Sequence, residues 1–195
     1  MTTHQYRIAS NRLPVYDYTQ PGWYFVTINT KNRHPYFGVI VNGEMQLSKI
    51  GMVVKNELLK TPKIRSYVLL DEYVIMPNHI HVIIVINARH NHNKTNTVVE
   101  TPRRGVSTEN VLQYVVHHPK PYTENVSLNT TNHWKPHSLG AMVNQFKSIC
   151  TKYIRTHINA HFAWQSRYYD HIIRNQYELN RIRAYIRNNA QKHHI

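Results

Sequence analysis

The segment His79–Ile86 constrains the fold of this chain most strongly, because it consists of two histidines and six isoleucine or valine residues. The preceding Pro77-Asn78 pair is a typical turn, and eight residues are too few for a membrane-spanning helix. A short run that is apolar on both faces is typical of a strand covered on both sides of its sheet. We therefore predict that this segment is a central strand.

Four other segments have the composition of strands. Aromatic and β-branched residues predominate in 23–30 and recur through 67–76, as is typical of strands. The short apolar segments 39–41 and 45–47 flank the Asn-Gly pair at 42–43, which tolerates the positive φ angles of a tight hairpin turn. These patterns predict a mostly antiparallel sheet.

Apolar residues at three-to-four spacing predict three amphipathic helices. The first begins after Ser48 and ends at residues 61–62, where the sequence reads Thr-Pro. The second begins after Ser138, with an apolar face that runs to Tyr153 and with Lys147, Lys152 and Arg155 towards solvent. The third covers about 177–188. Serine favours the position just before a helix, and proline favours its end.

The length of the chain predicts one domain with one interruption. The chain has 195 residues, close to the size of a single domain. Residues 88–137 are rich in Asn, Thr, His and Pro, which is the composition of a flexible insertion. The remaining core, 12–87 and 138–195, contains mostly antiparallel strands followed by helices. We predict a single domain over 1–195 with an α+β fold.

The charge of the chain favours a polyanionic partner. There are 24 Lys and Arg against 10 Asp and Glu, giving a net charge of +14, so nucleic acid or an anionic surface is the expected partner. The longest apolar run is five residues, far below the ~20 of a spanning helix. Cys150 is the one cysteine and cannot form an internal disulfide, so we expect a cytoplasmic protein.

His79 and His81 are the polar residues of the predicted central strand. Residues two apart on a strand project from the same face, so both imidazoles point to one place. Two convergent histidines are half of a metal site. They could equally be core histidines with hydrogen-bond partners, because an unpartnered buried imidazole costs ~1–3 kcal/mol.

Tyr185 and Asn189 form a second pair, four residues apart in and after the last predicted helix. This spacing makes them neighbours on one helix face. Asn189 falls on the stripe of Ile182 and Ile186, and Tyr185 falls at its edge. Asn189 could be a metal ligand or a helix C-cap, and Tyr185 could be a nucleophile or a packing residue with a solvated hydroxyl.

Three ordered segments resemble one known family. Residues 76–81 read Met-Pro-Asn-His-Ile-His, residues 139–148 read Leu-Gly-Ala-Met-Val-Asn-Gln-Phe-Lys-Ser, and residues 164–175 begin Trp-Gln-Ser-Arg-Tyr-Tyr-Asp-His. In this order they resemble the REP-associated tyrosine transposases, which belong to the single-tyrosine HUH group. The likeness runs from about Arg12 to the end and lapses over the insertion.

The resemblance implies a ferredoxin-like HUH endonuclease that cuts and rejoins single-stranded DNA near a hairpin. It implies that His79, His81 and Asn189 bind a divalent metal, Mg²⁺ or Mn²⁺, and that Tyr185 is the nucleophile. Family members commonly have Asn-Pro after the tyrosine, whereas Ala190 follows here, so Asn188 competes with Asn189. The resemblance also favours a monomer, with a dimer as the alternative.

Basic and aromatic side chains could contact the DNA. Basic residues would bind phosphates and aromatic ones would stack on unpaired bases. The alternative is that basic residues only solvate helix faces, that Trp164 lies in the core, and that segment 164–175 is structural, with His171 and Asn175 holding it. The candidates are Lys31, Arg33, Lys147, Lys152, Arg155, Trp164, Arg167, Tyr168, Tyr169, Arg174, Arg181 and Arg183.

Three functions remain open after the sequence has been considered. The first is a metal-dependent tyrosine transposase that forms a 5′-phosphotyrosine. The second is a DNA-hairpin binding protein, such as a domesticated regulator, that has kept the fold and lost catalysis. The third is a metal phosphodiesterase in which water attacks and Tyr185 is structural.

Overall fold

The fold consists of a four-stranded sheet, a small hairpin and three helices. A computed structural model describes residues 16–88 and 135–191. The predicted α+β class with an antiparallel sheet is confirmed. The elements are β1 Gly22–Asn29, β2 Gly38–Val41, β3 Glu44–Leu47, α1 Lys49–Ile64, β4 Val68–Met76, β5 His79–Ile86, α2 Leu139–His157, β6 Tyr169–Ile173 and α3 Gln176–Arg187.

The strand β5 lies inside the main sheet, as its composition predicts. The strand order is β4-β5-β1-β6, and every neighbouring pair is antiparallel. All eight residues of β5 are buried. The strands β2 and β3 form a separate two-stranded sheet, and the turn between them has the positive φ angles, 52° at Asn42 and 80° at Gly43, that the Asn-Gly pair predicts.

The two faces of the sheet are covered by different helices. Alternate residues of β5, including Ile80 and Val82, join a large core with buried residues of α1 and α2. Ile83 faces the other way and packs with Ile182 and Ile186 of α3 in a smaller cluster. Because side chains alternate along a strand, His79 and His81 lie on the same face as Ile83, beneath α3.

Two elements differ from the prediction. The helix α1 continues past Pro62 to Ile64 instead of ending at residues 61–62. Pro62 lies in the last turn, and the Arg65 amide still donates to the Thr61 carbonyl. The missing proline N–H therefore removes one hydrogen bond near the helix end, where it interrupts the helix least. The edge strand β6 is absent from the prediction, because its segment has no clear period-two alternation.

The helix starts agree with the prediction to within one residue. Ser48 accepts a hydrogen bond from the Gly51 amide at 3.1 Å, and Ser138 accepts one from the Ala141 amide at 3.2 Å. The helix α3 begins one residue earlier than predicted, with Asn175 as its N-cap. Side-chain acceptors of this kind satisfy amides that a helix start leaves unpaired.

Part of the predicted organisation lies outside the described residues. This applies to the N-terminal stretch up to residue 15 and to most of the predicted insertion 88–137. At the C-terminal end of that insertion, Lys135 pairs with Asp17 at 3.0 Å, and the His137 imidazole lies 3.1 Å from the Tyr67 hydroxyl. In the ranges 16–88 and 135–191, no helix has both the length and the apolar character needed to cross a membrane.

Lys147 corrects the prediction that it faces solvent as a DNA contact. It is buried on α2, and its ammonium donates to the carbonyl oxygens of Gln165 at 2.5 Å and Ser166 at 3.3 Å. Burial lowers the pKa of Lys147 to about 8. Helical periodicity alone missed this position because segment 163–166 covers a face of α2 that would otherwise be exposed.

The lowered pKa of Lys147 predicts a specific pH dependence of stability. Between pH 8 and the ordinary lysine pKa, the unfolded chain binds the proton that the folded chain has lost, so stability rises with pH. We expect the free energy of unfolding of the wild type, relative to Lys147→Met, to rise by ~1 kcal/mol per pH unit in this window. Urea titrations of both proteins from pH 7.5 to 10 measure this difference, and a pH-independent difference would contradict it.

Candidate active site

The two histidines of β5 form the centre of the site. His79 and His81 are both buried, and their ring centroids lie 4.6 Å apart. In the neighbouring strand β1, Asn29 is paired with His79 and Thr27 with His81. The prediction that both imidazoles point to one place is confirmed, and the site lies on the face that α3 covers.

Each imidazole is oriented by a partner at its Nδ1 atom. His79 Nδ1 lies 2.6 Å from the Asn78 side-chain oxygen, and His81 Nδ1 lies 2.8 Å from the Thr27 hydroxyl. Phe25 stacks on the His81 ring, with centroids 5.3 Å apart. Such outer contacts fix the tautomer and direction of a ligand histidine, and those at Nδ1 leave the Nε2 side of the His81 ring directed at α3.

Tyr185 meets this arrangement from α3. Its hydroxyl lies 3.1 Å from His81 Nε2, and its ring packs edge-on against those of His81 and Phe25. The side chain is nevertheless 43% exposed, so a large substrate can reach it. Tyr185 is therefore both held against the histidines and open to solvent.

Asn189 is a buried amide with an unsatisfied oxygen. The helix ends at Arg187, and Asn188 takes the C-cap position, so the interpretation of Asn189 as the C-cap is wrong. The Asn189 side chain is 5% exposed, and its Oδ1 accepts no hydrogen bond from the described residues. A buried acceptor left in this state costs ~1–3 kcal/mol, which a bound cation would offset. Asn188 is exposed and has no such burial.

The donor set is suited to a divalent cation. Imidazole nitrogens bind Mn²⁺ and later transition ions, and an amide oxygen suits Mg²⁺ or Mn²⁺. Within the described ranges no three His, Cys, Asp or Glu side chains cluster as a metal site. Asn189, four residues after Tyr185, offers a buried and unsatisfied amide oxygen as a further ligand. His81 Nε2 cannot bind a metal and the Tyr185 hydroxyl at the same time. The hydrogen bond to Tyr185 therefore belongs to the metal-free protein.

Two acidic residues of β4 fix α3 on either side of Tyr185. Arg183 donates to both oxygens of Asp71, at 2.7 and 3.1 Å, and Arg187 binds Glu72 at 2.8 Å. The pairing of β4 with β5 is irregular between Leu70 and Tyr73, which is where the two acids lie. A β-bulge redirects side chains in this way, and here it gives α3 two anchors spaced one helical turn apart.

A third acidic residue fixes the start of α3. Glu178 accepts from the Arg174 amide at 2.9 Å and contacts His171 at 2.7 Å, while its own amide donates to Asn175 at 2.8 Å. Burial alone would raise the pKa of Glu178, but these hydrogen bonds outweigh it and lower the pKa. The interpretation that His171 and Asn175 hold the segment before the last helix is confirmed.

The aromatic candidates divide into core and surface residues. Trp164 packs against the rings of Phe37, Phe146 and Phe162, and its indole N–H donates to the Lys147 carbonyl at 3.2 Å. Most of the Trp164 ring is therefore occupied in packing and is not available to stack on a base. Tyr168 also packs against the large core, whereas Tyr169 is 41% exposed.

Most of the basic candidates lie at the surface. Arg155 donates to the Phe162 carbonyl at 2.8 Å although its side chain is exposed, and Arg183 is engaged by Asp71. The exposed candidates are Lys31, Arg33, Lys152, Arg155, Arg167, Arg174 and Arg181.

Sequence reasoning missed the residues that support the site from other strands. Phe25 and Thr27 alternate with buried residues of β1, and this spacing places them on one face. Their contact with His81 depends on the register between β1 and β5, which the sequence does not specify. Asp71 and Glu72 carried a weaker signal, since two adjacent acids are unusual inside a strand of a chain with 10 acids in all.

The ion pair between Asp71 and Arg183, which helps to fix α3, leads to a prediction about stability. Asp71→Asn should lower the free energy of unfolding by ~1–2 kcal/mol, because it removes a charged partner of a half-buried bidentate pair. The control is Glu57→Gln, which removes the acid of the Lys60 pair on α1, where the lysine is 55% exposed and the expected loss is below ~0.5 kcal/mol. Urea unfolding measures the free energy of unfolding of both variants. Equal losses would show that the Asp71–Arg183 pair is no stronger than a surface ion pair.

Comparison with known proteins supports both the fold and a family. No family model matches the sequence. A protein of Haemophilus influenzae, described as an uncharacterized protein, is 32% identical over 184 residues, with 92% of this chain and 86% of that protein covered. The solved structure of a REP-associated tyrosine transposase bound to a REP hairpin superposes with a TM-score of 0.54 at 16% identity, covering 96% of this chain and 75% of that one. The chain therefore belongs to the same family as the Haemophilus influenzae protein and has the fold of the REP-associated tyrosine transposase.

Proposed function

We propose that this chain is a metal-dependent tyrosine transposase that cleaves and rejoins single-stranded DNA near hairpins. The observation that carries the proposal is the Tyr185 hydroxyl, 3.1 Å from Nε2 of His81 in a buried histidine pair, while its ring stays accessible. A packing tyrosine has no need of a histidine pair. A nucleophile does need to lie beside the groups that would hold the metal, with an open side for the substrate.

The proposed reaction exchanges one phosphoester for another. The Tyr185 oxygen attacks a DNA phosphorus, the bond from phosphorus to the 3′ oxygen breaks, and that oxygen takes up a proton. The products are a 5′-phosphotyrosine and a free 3′-hydroxyl. A second 3′-hydroxyl then attacks the same phosphorus, reforms a phosphodiester and returns the proton to Tyr185. The phosphoester energy is conserved throughout, so no nucleotide cofactor is required.

The metal would be held by His79, His81 and Asn189. When bound, Mg²⁺ or Mn²⁺ supplies charge that polarises a phosphoryl oxygen. The chain's own contribution is positional: Thr27 and Asn78 orient the two imidazoles, and the acids of β4 fix the helix that carries Tyr185.

The DNA preference is supported by charge and by the structural relative. A net charge of +14 attracts phosphates, and the solved relative is described as bound to a REP hairpin. Tyr169 is paired with Thr27 across β6 and β1, on the same sheet face as His81, and lies edge-on against Phe25. An exposed ring at this place suits an unpaired base. Since Tyr185 and both histidines come from one chain, we propose that a monomer is the acting unit.

The nucleophile can be tested by trapping it on DNA. Wild type and Tyr185→Phe are incubated with labelled single-stranded hairpins from the flanks of the gene and Mn²⁺, and the products are separated on denaturing gels. We expect a metal-dependent protein–DNA band with wild type and none with Tyr185→Phe, while both bind the DNA. Tyr177→Phe is the matched control, because this tyrosine lies on the same helix and is 78% exposed.

Two other outcomes would replace the proposal. DNA binding without any adduct, on hairpins that both proteins bind, would indicate a hairpin-binding protein without catalysis. Release of free DNA ends by both wild type and Tyr185→Phe would indicate that water is the nucleophile.

The role of Asn189 can be tested by separating stability from metal binding. Asn189→Leu replaces an unsatisfied amide with an apolar group of similar size, so we expect the metal-free protein to gain about 1 kcal/mol of stability. We expect the same substitution to weaken Mn²⁺ binding at least ~10-fold, as measured by calorimetric titration, and to reduce adduct formation. A stability loss together with unchanged Mn²⁺ affinity would show that Asn189 is a structural residue.

A further inference from the structure

We propose that a cavity at the end of β1 is a subsite for one unpaired nucleotide of the DNA strand that flanks the cleaved bond. This inference rests on the proposed function and adds a location and a ligand class to it. The cavity has a volume of about 560 Å³ and lies between the 31–33 turn and segment 163–166. This volume falls in the ~300–1,000 Å³ range of small-ligand pockets.

The charge of the cavity fits a phosphodiester. Lys31 and Arg33 line it and are both exposed, and no acidic residue occurs in the two described segments that form it. Each cation paired with a phosphate releases condensed counterions and adds affinity. Behind the opposite wall lies the buried ammonium of Lys147, which is held by backbone carbonyls and not by a carboxylate.

The walls of the cavity are held in place by hydrogen bonds. The Lys31 amide donates to the Ala163 carbonyl at 2.9 Å, and the Gln165 amide donates to the Asn29 carbonyl at 2.9 Å. Lys147 holds the Gln165 and Ser166 carbonyls from below, and Trp164 is fixed by its indole N–H. A cavity between segments tied together in this way is already formed before a ligand binds.

The backbone of the 31–33 turn is strained. Asn32 and Arg33 have φ angles of 53° and 52°, in the left-handed region. Asparagine tolerates this conformation, but arginine adopts it rarely. Strain of ~1–3 kcal/mol per residue is concentrated at ligand sites. Here it lies in the turn that carries both cations of the cavity.

The cavity is directly connected to the histidine site. Asn29, two residues before Lys31, is paired with His79. The Thr30 amide and hydroxyl both donate to the Asn78 carbonyl at 3.0 Å, and the Asn78 side chain supports His79. A strand whose phosphate lies at the histidines would therefore place a neighbouring nucleotide at the cavity.

The test combines trimming of the DNA with removal of the two cations. Fluorescein-labelled hairpins whose single-stranded extensions are shortened one nucleotide at a time are titrated with protein in EDTA, and binding is followed by anisotropy. The variant is Lys31→Gln with Arg33→Asn, because asparagine accepts the left-handed backbone. The control is Lys60→Gln with Lys63→Gln, which removes the same charge from exposed positions at the far end of α1.

We expect wild type and the control to lose roughly tenfold in affinity at one trimming step. The variant should bind the full-length DNA roughly tenfold more weakly, lose nothing further at that step, and show a salt slope lower by ~1.4 for two single-strand phosphates. If trimming and the double substitution each lower the affinity independently, so that their effects multiply, the subsite is overturned. An affinity loss in the control equal to that in the variant would also overturn it. The covalent-adduct assay on the same DNA reports separately on the proposed function, so failure of one is distinguishable from failure of the other.

Discussion

The burial of β5 on both faces is the constraint on which the other elements depend. A strand with no solvent-facing side needs a layer against each face, and the chain supplies α1 and α2 on one face and α3 on the other. His79 and His81 are the two polar side chains of this strand, and they lie at its first and third positions on the α3 face. The fold thus places polar groups beneath the one helix that also carries Tyr185, and leaves them at the end of the strand where a substrate can approach.

The helix α3 is held on the sheet by a short apolar face, and polar contacts at its ends and sides add to this packing. The buried residues of α3 are Leu179, Ile182 and Ile186. Of the chain's 10 acids, three lie at positions 100, 109 and 124, outside the described residues, which leaves seven. Two of these seven, Asp71 and Glu72, bind α3, and a third, Glu178, lies in its first turn and binds His171 and the Arg174 amide. In a strongly basic chain this use of scarce acids fixes the orientation of the tyrosine helix.

Local patterns predicted β1, β5 and the second and third helices closely, because alternation and helical spacing are properties of short segments. The convergence of His79 with His81 and the burial of Asn189 also followed from spacing. The prediction failed where the outcome depended on tertiary contacts. Lys147 looks solvated on a helix wheel until segment 163–166 covers it. The support of His81 by Thr27 requires a strand register between residues 54 positions apart, which the sequence does not reveal. The strand β6 forms because β1 offers it a free edge.

Asn189 has a buried, unsatisfied side-chain oxygen, and the turn at Asn32 and Arg33 has a left-handed backbone. Both raise the free energy of the folded protein, and neither improves the packing of the core. The binding energy of a charged ligand would offset each cost, with a cation at the amide and a phosphate at the turn. A site that binds a cation and a polyanion together gains from both, because the cation also reduces repulsion between phosphate and any neighbouring anion. The features that cost stability without aiding the fold thus belong to the groups that would hold the metal and the DNA strand in the proposed function.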